Sequence, residues 1–380
     1  MSWLKEPILV TGATGFIGGR VCERLVQDGA PNVRALVHDP RHAARIARLR
    51  VRLCHGDLLD GRSLRAALGD ARIIVHLGLG FGPAIPRGTR NLLAVARQAG
   101  VQRFIHISTT GVYGLRPPPG SDTEDARPRR TGNVYCDSKL RAERAVARQA
   151  RRGLPAVILR PGIVYGPCSR WCTSVIQRLN RGQGVLIDGG SGICSTTYVD
   201  NLVDAIFLAI EKSDAAGRIF SITDGESITW GEFIRAHAAM LHPSPPLLNI
   251  SSAEIRAYYR AQPGLWRGSW RQARQLIVSR EFRDTLKRIP LFERGLQRLW
   301  YWLQNLSEEQ KELLRARLTG SARNGHHGTP VPDPETWALQ TGSVVFRIDR
   351  AKNVLSYRPR VSFARGMRLT EDWLRWASYL

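Results

Sequence analysis

No window of this 380-residue chain approaches 18 uninterrupted apolar residues, so a membrane-spanning helix is not expected. The nearest candidate, Asn201 to Ile210, is short and carries Asp204. The opening residues Met1 to Pro7 run straight into an apolar strand and leave no room for a signal peptide. Cysteine is sparse and scattered: residues 22, 54, 136, 168, 172 and 194 form neither a disulfide framework nor a paired zinc spacing. Cys168 and Cys172 have no histidine nearby, so no metal is expected, and a reducing cytoplasm fits this usage. Lysine is rare as well, 6 against 50 arginines, within a net charge of +24. No basic run with interleaved aromatics accompanies that charge, so no specific nucleic-acid partner is expected. Weak adhesion to an anionic membrane or polymer fits it better.

What the chain does have is alternation. Apolar runs at Pro7–Val10, Val33–Val37, Val51–Cys54, Ile73–Leu77, Phe104–Ile107 and Ala156–Leu159 read as strands. Helical stretches separate most of them, with Phe16–Asp28, Thr89–Ala99 and Lys139–Arg151 the clearest. The pattern predicts an α/β fold: a doubly wound, Rossmann-like parallel sheet with ligand at the carboxyl ends of its strands. A smaller, mostly helical substrate portion follows. The expected division gives 1–165 and 196–224 to cofactor binding, and 166–195 and 225–380 to substrate.

The first strand ends in Thr11-Gly12-Ala13-Thr14-Gly15-Phe16-Ile17-Gly18. Gly12 permits a tight turn, Gly15 lets backbone approach phosphate, and Gly18 lets helix and sheet pack closely. The helix opening near Phe16 offers free N–H groups and a positive dipole end to a pyrophosphate. Asp57 ends the third strand, where it could accept from an adenine amino group. Val37 stands where an acidic residue would bind a ribose 2′-hydroxyl, with Arg34, His38, Asp39 and Arg41 around it. The missing carboxylate and the nearby cations favour NADP over NAD, with Asp39 leaving NAD open.

Tyr135 and Lys139 stand four residues, about one helical turn, apart. Hydride transfer to a carbonyl needs a proton on the oxygen, and alcohol oxidation must remove one. A free tyrosine, at about pH 10, is too weak a base, and a neighbouring cation would lower its pKa. Tyr135 is therefore expected as acid/base and Lys139 as the group that tunes it.

TGATGFIG, GDLLD, HLG at 76–78, GTRNLL at 88–93, RFIHISTTGVYG at 103–114, YCDSK and LRPGIVYGP at 159–167 occur in one order. In that order the chain resembles the extended short-chain dehydrogenase/reductases, the NAD-dependent epimerase/dehydratase-like family. The resemblance covers about 7–245 and resumes from Arg347 to Trp373. It implies that Lys139 also holds the nicotinamide ribose and that Thr109 polarises the substrate oxygen, with Ser108 as its neighbour and substitute. It further implies a cofactor lying along Thr14, Phe16, Ile17, Leu58, Leu77, Gly78 and Pro161, and a homodimer by analogy.

Three departures narrow the substrate. Dehydratases of the family follow the Ser-Thr pair with Asp-Glu; here Thr110 and Gly111 occupy those positions, so dehydration is not expected. Cys194 falls where nucleotide-sugar epimerases carry an arginine, leaving Arg170 or Arg347 to compensate. The connection from His76 to Gly88 is about a dozen residues shorter than is usual for the family, which predicts an open site. The expected reaction is hydride transfer at a secondary alcohol or ketone of a sugar, sterol-like or other cyclic small molecule. A sugar-nucleotide 4-epimerase with tightly held NAD and a non-enzymatic NADP-sensing module are the alternatives.

Between about 250 and 345 the family pattern lapses. Ser251 to Gly320 holds 14 Lys/Arg against 7 Asp/Glu, with Trp266, Trp270, Trp300 and Trp302. Phe292, Leu296, Leu299, Trp300, Leu303 and Leu306 follow helical spacing opposite Arg294 and Arg298. That pattern fits a helical subdomain packed on the substrate portion, or a basic amphipathic element over 265–320 that meets a membrane surface.

Overall fold

Every apolar run expected as a strand is one. The computed structural model describes residues 2–78, 82–261 and 331–380. Its main strands are β1 (Ile8–Thr11), β2 (Val33–Val37), β3 (Arg52–His55), β4 (Ile73–His76), β5 (Arg103–Ile107) and β6 (Ala156–Pro161). Short strands β7 (Ile163–Tyr165), β8 (Val185–Ile187) and β9 (Thr196–Tyr198) follow, then β10 (Ile219–Ile222) and β11 (Leu248–Ile250). Seven of these form one parallel sheet in the order β10-β6-β5-β4-β1-β2-β3. The chain leaves β1 toward β2 and β3 and returns on the other side with β4. That reversal opens a crevice at the carboxyl ends of β1 and β4.

Alternation along each strand divides the side chains between two faces. Ile8, Val10, Val75, Ile105 and Leu159 pack with helices α1 (Phe16–Gln27) and α6 (Val199–Glu211). Leu9, Ile74, Phe104 and Ile158 pack with α2 (Gly61–Leu68), α3 (Ala84–Gln98) and α4 (Val134–Ala150). The first face is continuous with Trp230 and Phe233 of α7 (Trp230–Ala238) and with Leu374 of the helix Phe363–Trp376. The cofactor and substrate portions expected from sequence thus draw on one core. Ion pairs tie α1 to α6: Arg20 Nε to Asp200 at 2.6 Å and Arg24 Nη2 to Asp204 at 3.1 Å. Asp204, which interrupts the longest apolar stretch, is therefore a helix-to-helix contact.

Two features escaped sequence reading. Helix α2 is short, and Asp60 caps it by accepting from the N–H groups of Arg62 and Ser63. Helix α4 begins at Val134, before Tyr135, because the Asn133 side chain accepts from Cys136 N at 2.9 Å.

Residues 1–252 with 332–380 form one unit, and 253–331 form a second. The described part of the second is mainly the helix that runs on from Ser252 to Arg260. The basic stretch 265–320 and its apolar stripe from Phe292 to Leu306 lie outside the described residues. Among the described residues no helix is long and apolar enough to cross a membrane.

Candidate active site

The glycine turn is built as three different fits. Gly12 has φ +69°, and a Cβ there would lie 2.8 Å from the Leu77 carbonyl carbon and 2.9 Å from Gly78 N. A Cβ on Gly18 would stand 2.1 Å from the Gly12 oxygen. Gly15 differs: apart from the Gly12 oxygen at 3.2 Å, no heavy atom of the described residues outside its chain neighbours would come within 4 Å of its Cβ. An added methyl at Gly15 would occupy the space in front of α1. No side chain among the described residues caps that helix. Its N-terminus, with Thr14 and Gly15 before it and half-buried Phe16 and Ile17 opening it, suits a pyrophosphate.

At the far end of this crevice Asp39 caps the turn after β2. Its carboxylate accepts from Arg41 N at 3.0 Å and from the Arg41 guanidinium at 2.6 and 2.9 Å. That fork holds the Asp39 carboxyl well below the usual carboxylate range. Arg34 is turned away to Asp70 at 2.5 Å. His38 follows Val37 at the same end. A carboxylate and a cation therefore stand together after β2, and the geometry carries no preference for NADP over NAD. Asp57 shapes its own loop, accepting from Leu59 N at 2.9 Å. Leu58 packs where a Cβ on Gly78 or Gly88 would collide with it, and Asn91 Nδ2 donates to its carbonyl at 3.0 Å.

Beneath the cradle a buried hydrogen-bond chain has only one consistent direction. Thr89 Oγ1 donates to Ile85 O at 2.9 Å, so it accepts from His76 Nε2–H at 3.0 Å. His76 Nδ1 then accepts from Thr11 Oγ1 at 2.7 Å, and Thr11 accepts from Gly78 N at 3.1 Å. Burial, aided by the Lys139 charge, pushes His76 down to about 3, which keeps the ring neutral as this direction requires. The chain fixes the backbone at Leu77–Gly78, where the cofactor was expected to run. Thr11, His76, Thr89 and Asn91 were not singled out from sequence, although HLG and GTRNLL contain the last three.

Tyr135 and Lys139 lie on the first turns of α4. Asp137 steadies the approach to that helix, accepting from Thr131 N at 2.8 Å and Gly132 N at 3.2 Å. Lys139 is buried, and its Nζ donates to the Ile107 carbonyl at 2.5 Å. Burial lowers it to about 8, against the opposing pull of Glu143. Tyr135 is 45% exposed. The expected tuning of Tyr135 by Lys139 is absent here: its hydroxyl is pushed up, first by desolvation and then by Cys136. Lys139 donates to Ile107 on β5, and no hydrogen bond joins it to Tyr135 among the described residues.

Strand alternation separates the two hydroxyls expected beside Tyr135. Ser108 is buried, and its Oγ donates to Glu143 Oε2 at 2.7 Å. Glu143 is clamped by Arg160 at 2.5 and 3.0 Å, and Arg160 also meets the Tyr113 hydroxyl, which donates to Thr123 O at 2.9 Å. Ser108 is thus committed to α4 and is no substitute for Thr109. Thr109 Oγ1 accepts from Gly111 N at 3.1 Å and has no acceptor for its own O–H among the described residues. A Cβ on Gly111 would lie 3.1 Å from Cys136 Sγ. The Thr109–Gly111 turn therefore backs onto the residue next to Tyr135.

The departure at Cys194 has a structural reason. Cys194 is fully buried in the core, where an arginine would strand a charge. Arg347 pairs with Asp349 at 2.5 Å. Arg170 lines a groove of about 460 Å³ along helix α5 (Arg170–Asn180) with Trp171, Ser174, Gln177, Arg178 and Arg181. Pro161 closes β6.

Residues 8–223 match the model of the NAD dependent epimerase/dehydratase family. The chain belongs to that family. Its cofactor is NAD or NADP, and its cradle fits either. A 4-hydroxy-2-methyl-3-oxo-4-farnesyl-3,4-dihydroquinoline-1-oxide ketoreductase of Stigmatella aurantiaca is 27% identical over 70% of this chain and 82% of its own length. UDP-glucose 4-epimerase of Vibrio cholerae is 28% identical over 63% of this chain and 76% of its own. In fold, the chain is similar to UDP-glucuronic acid 4-epimerase of Bacillus cereus in complex with NAD, with TM-score 0.64, 19% identity, and coverage of 98% and 99% of the two chains. Family and relatives make this an NAD-dependent oxidoreductase or epimerase.

Proposed function

We propose that this family member reduces a ketone, or oxidises the matching secondary alcohol, on a sugar, sterol-like or other cyclic substrate. A nicotinamide held there would supply or take the hydride. Tyr135 Oη gives the carbonyl oxygen its proton, Thr109 Oγ1–H orients that oxygen, and Lys139 Nζ holds the cofactor ribose. Residues 1–165 and 196–224 would bind the cofactor, and 166–195 with 225–380 the substrate. A homodimer, and a membrane contact through 265–320, are further parts of this reading.

The observation that carries the proposal is the Thr109–Gly111 turn backed onto Cys136, the residue after Tyr135, with no acceptor for the Thr109 O–H among the described residues. A phenol is protonated at neutral pH and can donate to a carbonyl oxygen, which is the proton step that reduction needs. The Stigmatella ketoreductase supports the same class. Epimerisation is the second reading, supported by the Vibrio relative. Burial of Cys194 counts against it, because no substrate pyrophosphate could be gripped from that position.

The test begins with the nucleotide that copurifies. An exchangeable NAD(P) with turnover of cyclic ketones supports the reductase, whereas NAD that survives purification supports the epimerase. Tyr135→Phe should abolish turnover and preserve cofactor affinity; unchanged turnover would remove Tyr135 from the mechanism.

A further inference from the structure

A row of cross-strand partners runs beneath the glycine cradle. Thr11 faces His76, His76 faces His106, and His106 faces Ile158. Two residues earlier the same face carries Leu9, Ile74, Phe104 and Ala156, all apolar. The row is thus the point at which the sheet turns polar toward the crevice. Thr11 and His76 have every hydrogen assigned. His106 does not: it is buried, 5.3 Å from the His76 ring, and neither ring nitrogen has a partner among the described residues. A phenylalanine, as at position 104, would fill that place without hiding two polar atoms.

The neighbouring carbonyl, Ile107 O, is the acceptor of Lys139 Nζ. An ammonium has three N–H donors, and Lys139 uses one of them among the described residues. Its charge acts on the rings of both His76 and His106. A charged donor with spare hydrogens and a buried acceptor with none therefore meet at the end of β5. We propose that His106 is a positioning residue for Lys139: its unprotonated ring nitrogen is a second acceptor for the ammonium, reached by rotation of the lysine end or through one buried water. That contact holds Nζ toward β5, one helical turn from Tyr135, and away from Glu143, which Arg160 and Ser108 already occupy.

The charged and titratable groups around this contact are Lys139 and Glu143 from α4, His76 from β4 and Arg160 from β6. The nearby polar groups of β1 and α3, Thr11 and Thr89, do not titrate. The catalytic meaning rests on the role proposed above for Lys139; the contact itself does not.

The test therefore uses the full chain without cofactor or substrate. Long-range proton–nitrogen spectra of histidine-labelled protein should show one His106 nitrogen as a hydrogen-bond acceptor, and Lys139→Met should abolish that signature. His106→Phe should lower the titration midpoint of Lys139 by about one pH unit, because the charged form loses a partner. His106→Gln, which keeps an acceptor, should restore most of it. The proposal is overturned if Lys139→Met leaves the His106 signals in place. It is equally overturned if His106→Phe lowers the melting temperature while Lys139 titrates as before. If His106→Phe does not fold, the Lys139→Met spectra and the His106→Gln titration decide. Active Tyr135→Phe protein would retire the mechanism above and leave these outcomes untouched.

Discussion

Gly18 sits so close to Gly12 that a Cβ on the former would stand 2.1 Å from the carbonyl oxygen of the latter. Backbone cannot retreat as a flexible side chain can, so Gly18→Ala must push α1 off β1. Overpacking of this kind costs about 1–3 kcal/mol or more. Among the described residues Gly15→Ala meets one atom, at 3.2 Å, and places its methyl in front of the helix N-terminus. Thermal melts and cofactor titration should separate the pair: Gly18→Ala loses several degrees of melting temperature. Gly15→Ala keeps the fold and loses cofactor affinity at least about tenfold, or 1.4 kcal/mol.

Ser108 and Thr109 are adjacent in sequence and point to different partners. Ser108→Ala removes one hydrogen bond from a carboxylate that Arg160 still clamps, so stability should fall by about 1–2 kcal/mol with turnover nearly intact. Thr109→Ala removes the hydroxyl whose O–H has no acceptor among the described residues. Turnover should drop by roughly 10²-fold with little change in melting temperature. Equal turnover losses for the two variants would count against the separation.

What the sequence discloses about this site follows the range of each interaction. The spacing of Gly12, Gly15 and Gly18 is local, and so is the helical turn between Tyr135 and Lys139; both can be placed by counting. The pairing of Ser108 with Glu143 spans 35 residues and that of Arg160 with Glu143 spans 17. Neither has a periodic signature. The family pattern brings Thr109 forward but says nothing about where Ser108 is spent. The bond from Lys139 Nζ to the Ile107 carbonyl is equally hidden from counting, because its partners lie 32 residues apart. His76 sat in a quoted motif, yet its tautomer depends on Thr11 and Thr89, supplied by two other elements.

Glu143 and Arg160 form a nearly inaccessible ion pair, with Arg160 also against the Tyr113 ring at 4.9 Å. Removing one partner leaves the other charge buried. Glu143→Gln should therefore destabilise by about 3–5 kcal/mol, more than loss of a surface pair would. Urea denaturation measures it, and a loss below about 1 kcal/mol would mean that water reaches the pair.

Asp224 is a buried carboxyl that burial raises to about 6, against the opposing hydrogen bonds of Asn201, Tyr198 and Thr196. Its Oδ1 accepts from Tyr198 N at 2.8 Å and Asn201 Nδ2 at 2.7 Å. The folded-state value lies above the unfolded one, so the folded chain holds this proton more tightly. The resulting contribution to stability is present below about pH 4 and is lost as pH rises through about 6. Asp224→Asn keeps an oxygen acceptor and removes the charge. It should raise stability at pH 7.5 by up to about 3 kcal/mol and change little at pH 4. Melting curves at the two pH values check the sign.

Lys139 follows the converse rule for a base. Burial lowers it to about 8 in the folded chain, against about 10.4 for a free lysine. The folded state therefore binds this proton less tightly than the unfolded state. A destabilising contribution is fully present below about pH 8 and is relieved as pH rises toward about 10.4. Lys139→Met should stabilise the cofactor-free protein at neutral pH, by at most about 3 kcal/mol, and that gain should vanish near pH 10. The same substitution should weaken cofactor binding and abolish turnover, since the ammonium that strains the empty fold is the one proposed to hold the ribose. A variant both less stable at pH 7 and fully active would refute the link between that strain and the site.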